Sequence, residues 1–195
     1  KEQASPEPPI PSIVPTTKTE QGDGKRSDAA QKEAEDLERL KREIDAYTRA
    51  HGLQNEVQAT VARRGLVVTV LTDRVLFDSG SAELKPRSHR LLDALTRMLK
   101  TTVRNPIVVE GNTDNVPISG RFPSNWELST ARSTAVVRYM IRHGINPDRL
   151  TAAGYADRNP VATNATEAGR RRNRRVELVV MRTSGQGGQA GSQGG

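Results

Sequence analysis

One carboxylate and one guanidinium are placed where they could bind a ligand together. Asp114 follows a short apolar segment, and Arg132 ends the stretch SNWELSTAR, in which Asn125 and Leu128 share its face of a predicted helix. The pair could form a structural salt bridge that positions the intervening loop. It could instead bind a zwitterion, with Asp114 on an ammonium group and Arg132 on a carboxylate. Spacing alone leaves both interpretations open.

Motifs of the common catalytic sites are missing from the sequence. It contains neither GxSxG, a Walker P-loop, HExxH nor GxGxxG. The chain has no cysteine, which excludes disulfides and thiolate metal sites. Its histidines, at positions 51, 89 and 143, are too far apart in sequence to suggest a common metal. We therefore expect no enzyme activity, no cofactor and no metal.

The net charge of +7 is unevenly distributed along the chain. Residues 1–51 carry 9 Lys/Arg and 11 Asp/Glu, whereas residues 52–195 carry 21 and 12. A basic domain suggests a polyanionic partner, and the run RRRNRR at 170–175 could bind phosphates. The alternative is a solvated loop before the last strand, with Arg174 or Arg175 turned inward. Because aromatic residues make up only 3% of the chain, base-stacking platforms are nearly excluded and we expect no nucleic-acid partner.

Composition predicts non-globular segments at both ends of the chain. Residues 1–26 contain a proline-rich run followed by Gly-Asp-Gly, which predicts a flexible tether. Residues 184–195 are Gly-rich and of low complexity, which predicts a disordered tail.

The segment 27–63 is predicted to be a linker that contains a helix from Ser27 to Gly52. Within it, Leu37 and Ile44 lie one heptad apart. Such a short heptad pattern is equally compatible with dimerisation through the helix and with packing on the adjacent domain. We predict a homodimer that uses this helix and contacts between the folded domains.

Strand and helix patterns alternate over residues 64–183, which predicts an α+β sandwich with a mixed sheet of about four strands and helices packed on it. Ser124 and Glu127 form a predicted capping box, and the helix they open is expected to end near His143. Trp126 is expected to pack in the core or at the helix start rather than bind a ligand. The other predicted elements are a strand or hairpin at 66–77, a helix after Pro86, and strands at 107–110, 150–155 and 175–181.

Three separated blocks, GNTDNVPI, SNWELSTAR and EAGRRRNRRVELVV, together resemble the OmpA-like peptidoglycan-binding domain. The resemblance covers roughly Val68–Met181. It implies a β/α sandwich that binds the diaminopimelate of cell-wall stem peptides without hydrolysing it. Diaminopimelate ends in an amine and a carboxylate on one carbon, which is the zwitterion that the Asp–Arg pair suits.

The resemblance also implies a set of peptidoglycan-binding residues. Asp114 of the TD motif and Arg132 of the LSxxR motif correspond to the positions that contact the zwitterion. Supporting positions and the opposite pocket wall correspond to Thr113, Asn125, Arg174, Ser79 and Gly80. Asn112 stands where the family usually has His.

The blocks NVPI and SNWELS, with the long loop between Asp114 and Asn125, look most like the flagellar stator B subunits (MotB). That likeness implies the periplasmic region of a single-pass inner-membrane protein that anchors the motor stator to peptidoglycan. Its expected partners are peptidoglycan, a second copy, and the stator A subunit through an upstream transmembrane helix absent from this fragment. The alternatives are another OmpA-family envelope tether or secretion-system component, or a basic nucleic-acid-binding module.

Overall fold

The computed structural model describes residues 20–101 and 104–184, with side chains from Ser27 onward. The predictions of a tether over residues 1–19 and of a tail over 185–195 lie outside the described residues. The first helix, α1, begins at Glu20, within the segment 1–26 that was predicted to be a tether.

The sheet has five strands, where about four were predicted, and the α+β fold class is confirmed. Their order is β1-β2-β5-β3-β4, and all neighbours are antiparallel except the parallel pair β3 and β4. The additional strand, β1, lies in the segment 27–63 that was predicted to be a linker, and it forms a hairpin with β2. The strands are β1 (Val57–Ala62), β2 (Gly65–Leu71), β3 (Ile107–Asn112), β4 (Leu150–Gly154) and β5 (Arg175–Met181).

Three helices pack on one face of this sheet, and a short fourth helix precedes β5. The buried core joins inward-facing residues of four strands to the apolar faces of the three long helices. The helices are α1 (Glu20–Ala50), α2 (Ser88–Thr101), α3 (Asn125–Arg142) and α4 (Glu167–Asn173).

The apolar seam of α1 packs on its own domain. Leu37, Leu40 and Ile44 are fully buried in the same core as β1 and α2. The heptad pattern allowed either dimerisation through the helix or packing on the adjacent domain, and the structure shows the packing. The prediction that this seam joins two copies is wrong, because its side chains are already removed from solvent within one chain.

The capping box that starts α3 is confirmed. The Ser124 hydroxyl accepts a hydrogen bond from the Trp126 backbone N–H at 3.1 Å and donates one to Glu127 Oε2 at 2.5 Å. The hydrogen bond from Ser124 lowers the pKa of Glu127 below its ordinary value. The helix ends at Arg142, with His143 as its C-cap, so its predicted extent also agrees. These contacts fix the first turn of α3, which carries Asn125.

The segment 66–77 is not a single strand or hairpin. Strand β2 ends at Leu71, and Thr72–Leu76 form a π-helical turn. The Thr72 backbone N–H donates to the Arg174 carbonyl at 3.0 Å, and the Phe77 N–H donates to the Thr72 carbonyl at 3.0 Å. This turn directs Asp73 towards Arg174, which lies directly before β5. Among residues 20–101 and 104–184, no helix combines the length and apolar character needed to cross a membrane.

Candidate functional site

Two glycines allow the start of α3 to lie directly on the ends of β3 and β4. A Cβ atom at Gly111 would overlap the Ser129 carbonyl, and one at Gly154 would overlap the Thr130 hydroxyl. Because neither strand end carries a side chain there, the first turns of α3 approach the backbone of the sheet. This close approach brings the loop after β3, which contains Asp114, next to the α3 face that contains Arg132.

All seven residues predicted to bind peptidoglycan line one cavity of about 360 Å³, which we call the site cavity. Sequence reasoning missed three further charged residues that line it, Asp73, Glu167 and Arg170. The lining therefore holds three acids and three arginines, so its charges balance. The predicted residues that the structure brings together here are Ser79, Gly80, Thr113, Asp114, Asn125, Arg132 and Arg174.

Arg132 is a buried cation that backbone carbonyls hold in place. It is 2% exposed, and its guanidinium lies 5.3 Å from the centroid of the Phe77 ring. Its Nε donates to the Ser81 carbonyl at 2.8 Å, and its Nη2 donates to the Asp78 carbonyl at 3.1 Å. Burial lowers the pKa of Arg132, yet a guanidinium stays protonated at physiological pH. Its charge is thus available to an anionic group in the cavity, to which Nη1 can donate.

Asp114 forms a salt bridge with Arg174. The structural salt bridge between Asp114 and Arg132, one of the two interpretations of the spacing, does not form. Asp114 Oδ2 accepts from Arg174 Nη1 at 2.5 Å, while Oδ1 accepts from the Val116 backbone N–H at 3.1 Å. Although Asp114 is only 6% exposed, carboxylate oxygens have lone pairs for more than one donor each. Asp114 can therefore also accept from a ligand.

Arg174 connects three acids that come from separate parts of the chain. Besides Asp114, its Nε donates to Asp73, and its Nη2 donates to Glu167 Oε1 at 2.8 Å. Burial alone would lower the pKa of Arg174, but its hydrogen bonds to Glu167 and Asp114 raise it above the ordinary value. The hydrogen bond from Arg174 in turn lowers the pKa of Glu167. Within the residues that the structure describes, no group of three His, Asp or Glu side chains is arranged to hold a metal ion.

The remaining predicted residues support the loop or form the outer wall of the cavity. The Thr113 backbone N–H donates to the carbonyl of Ala156, a residue with the left-handed φ of 49°. Asn125 Nδ2 donates to the Val116 carbonyl at 3.0 Å and to the Asp114 carbonyl at 3.3 Å. These bonds fix the backbone on both sides of the Asp114 carboxylate. Ser79 and Gly80 are exposed at the entrance.

Asn112, where the resemblance led us to expect His, does not line the site cavity. It is 1% exposed and lies opposite Arg175 in the antiparallel pair of β3 and β5. Among the described residues, neither polar atom of its side-chain amide has a hydrogen-bond partner. Nothing in the structure explains why an amide is placed there.

The arginines of the 170–175 run are largely engaged within the domain. Arg175 is 3% exposed and bonded to Glu177 at 2.9 Å, which agrees with the interpretation that an arginine turns inward. Arg170 and Arg171 contact Glu167, as Arg174 does. The segment forms α4 rather than a loop. These contacts engage Arg170, Arg174 and Arg175 within the domain, whereas Arg171 and Arg172 remain exposed.

Two aromatic side chains of α3 differ in exposure. Tyr139 is buried at 4% exposure. Burial and a hydrogen bond to Asp93 raise the pKa of Tyr139 to about 12. Trp126, in contrast, is 47% exposed, so the prediction that it packs in the core is wrong.

A family model for the OmpA family matches residues 76–174, which include every charged residue of the site cavity except Asp73. The chain belongs to the OmpA family. Motility protein B of Bacillus subtilis (strain 168) is 31% identical over 75% of this chain and 57% of its own length. The chain thus spans less than two thirds of that curated relative, and 63% of another from the same organism.

Two solved structures agree with this membership. A MotB-like protein from Desulfovibrio vulgaris superimposes with a TM-score of 0.72 at 33% identity, covering 79% of this chain and 96% of that one. The cell wall anchor of the type VI secretion system (T6SS) from Pseudomonas aeruginosa gives a TM-score of 0.65 at 37% identity. That match covers 71% of this chain and 96% of the anchor. The OmpA-like domain of this chain therefore resembles Motility protein B in sequence and the MotB-like protein in sequence and fold.

Proposed function

We propose that this domain binds peptidoglycan without catalysis, through the zwitterionic end of diaminopimelate in the stem peptide. The observation that carries the proposal is the site cavity, in which a buried guanidinium and a buried carboxylate open to the same space. The ligand carboxylate binds Arg132, and the ligand ammonium binds Asp114. The balanced lining charges suit a ligand group that carries one charge of each sign.

The engagement of each side chain supports this assignment of roles. Backbone carbonyls hold Arg132 without neutralising it, so it attracts an anion. Arg174 shares its charge among three acids, so an ammonium group near Asp114, Asp73 and Glu167 meets a surplus of negative charge. The positions of Asp114 and Arg132 are preorganised, because hydrogen bonds fix the loop after β3 and the start of α3 before a ligand binds.

We place this domain in the periplasm, as the cell-wall anchor of a flagellar motor stator. The similarity to Motility protein B and to the MotB-like protein supports this placement. An upstream transmembrane helix would join the domain to the stator A subunit. A homodimer would need a surface other than the Leu37–Ile44 seam, since that seam is buried within one chain.

The second candidate is a cell-wall anchor of a secretion system, and its support is the 37% identity to the T6SS anchor over nearly all of that structure. A motility assay separates the two candidates. If the protein is a stator anchor, we expect the full-length protein to restore swimming to cells that lack their own stator B subunit. Restored secretion without restored swimming would favour the second.

Peptidoglycan binding itself is tested with purified sacculi. Asp114→Asn removes the charge with little change of shape, and we expect it to weaken binding about tenfold to a hundredfold. Asp148→Asn, at an exposed position outside the site cavity, is the matched control and should bind as the unmodified protein does. Unchanged binding by folded Asp114→Asn, verified by circular dichroism, would reject the assignment.

A further inference from the structure

The largest exposed aromatic side chain of the described residues lies beside the site cavity. Trp126 is 47% exposed and lines a second cavity of about 610 Å³, which we call the Trp126 groove. Its apolar surface comes from Trp126, Phe122 and Ala131, and its rim carries Glu83, Arg121 and Arg138. Exposed aromatic surface in a groove with a polar rim is typical of a binding site.

The groove and the site cavity are built from the same three segments of the chain. The turn after Phe77 gives residues 79–80 to the cavity and 82–83 to the groove. The loop after β3 gives residues 113–118 to the cavity and 121–122 to the groove. Along α3, Asn125 faces the cavity and Trp126, its direct neighbour in sequence, faces the groove. Ser81, whose carbonyl accepts from Arg132 Nε, stands in sequence between Gly80 of the cavity and Ala82 of the groove.

We propose that the Trp126 groove binds the saccharide to which the stem peptide is attached. This inference rests on the proposed function, because it takes the site cavity to hold diaminopimelate. A ligand bound there continues into a short peptide and then into an N-acetylhexosamine chain. Three extended residues span roughly 10 Å. Residues close in sequence line the two spaces, Gly80 and Ala82 in one turn and Asn125 and Trp126 on α3.

The chemistry of the groove suits a saccharide. Pyranose rings have a face of C–H groups that packs on an indole, while their hydroxyl and acetamido groups need polar partners at the edge. Thr130 and Thr134 line the groove and supply hydroxyls. At the rim, Arg121 pairs with Glu83 at 2.7 Å, so much of the charge is compensated, as a neutral sugar requires. The volume is within the range that small-molecule sites occupy.

The experiment compares two ligands that differ only in the sugar. One is the tripeptide that ends in diaminopimelate, and the other is the same tripeptide linked to its disaccharide. Because Trp126 is the single tryptophan of the chain, its fluorescence reports directly on the groove. We expect the disaccharide-tripeptide to shift the emission to shorter wavelength and to bind about threefold to tenfold more tightly than the free tripeptide.

Variants separate the groove from the site cavity. In calorimetric titration, which does not need the tryptophan, Trp126→Ala should remove the gain that the sugar provides and leave affinity for the free tripeptide unchanged. Trp126→Phe should keep part of the gain. Asp114→Asn should weaken the binding of both ligands. Ile141→Ala, at a partly exposed apolar position later on α3, is the matched control and should bind both as the unmodified protein does.

Each contrary outcome has a distinct meaning. Equal affinity for the two ligands would reject the saccharide site and leave the proposed function standing. Binding of neither ligand would reject the proposed function and this inference with it. A dimer that Trp126→Ala converts to a monomer in sedimentation would assign the groove to a second copy and overturn the proposal.

Discussion

Asp114 and Arg132 line the same cavity, yet each is held by a different partner. Asp114 bonds to Arg174 at 2.5 Å, and Arg132 donates to the Ser81 and Asp78 carbonyls. Had they paired with each other, a ligand would have had to break that pair before binding. Because their partners lie elsewhere, both keep hydrogen-bonding capacity towards the cavity. This separation favours recognition of a zwitterion over a purely structural role.

The first prediction concerns the planar guanidinium of Arg132. Arg132→Lys keeps the charge but cannot donate to both carbonyls and a ligand carboxylate in the same geometry. We expect binding of the diaminopimelate tripeptide to weaken at least about tenfold and the free energy of unfolding to fall by about 1–3 kcal/mol. Calorimetric titration and urea denaturation measure the two effects. Arg142→Lys, exposed at the end of the same helix, should change neither. Full affinity in Arg132→Lys would show that charge alone suffices.

One part of the site could be predicted from the sequence, because elements that are neighbours in the chain form that part. A loop after a strand and a capped helix start meet at one edge of the sheet, so the convergence of Asp114, Asn125 and Arg132 follows from local patterns. The role of Arg174 does not, because it lies 60 residues from Asp114 and reaches it through the register of β5 against β3. Asp73 was missed because its π-helical turn looked like part of a strand.

The partner of α1 could not be predicted for a different reason. A heptad pattern places Leu37 and Ile44 on one stripe, and that stripe suits a second helix or a sheet equally well. Strand β1, a short strand without strong sequence signals, provides much of the surface on which the stripe packs, together with β2 and α2.

The second prediction tests this packing. Leu37→Ala should lower the free energy of unfolding by about 2–5 kcal/mol, since it leaves a cavity in the core without changing the oligomeric state. Denaturation followed by circular dichroism gives the first quantity, and sedimentation gives the second. Glu38→Ala, exposed on the same turn, should remain within about 0.5 kcal/mol of the unmodified protein. A stable Leu37→Ala protein of halved mass would instead place the seam between two copies.

The third prediction tests how α3 is seated. Gly111→Ala adds a Cβ atom that overlaps the Ser129 carbonyl, and overpacking of this kind costs about 1–3 kcal/mol. As α3 moves away from β3, Arg132 moves relative to Asp114, so tripeptide binding should weaken as well. Gly52→Ala is the control, because at φ 66° it meets backbone strain but no neighbouring atom within 4 Å. We expect it to lose stability and keep affinity. Equal affinity in both variants would show that the site tolerates displacement of the helix.

The last prediction concerns acid sensitivity at the end of β5. Glu33 of α1 accepts hydrogen bonds from the Thr183 and Ser184 backbone N–H groups at 2.7 and 3.0 Å and from their hydroxyls. Burial alone would raise its pKa, but the hydrogen bonds from Ser184 and Thr183 lower it from 4.5 to about 2. Because the folded-state pKa is depressed, the stabilisation is complete above pH 4.5 and is lost as the pH falls towards 2. Glu33→Gln should lower the free energy of unfolding at pH 7 by about 1 kcal/mol and flatten its dependence on pH over that window. Urea denaturation at several pH values measures this, with Glu38→Gln as the exposed control. If both variants keep the slope of the unmodified protein, Glu33 does not hold the end of β5 against α1.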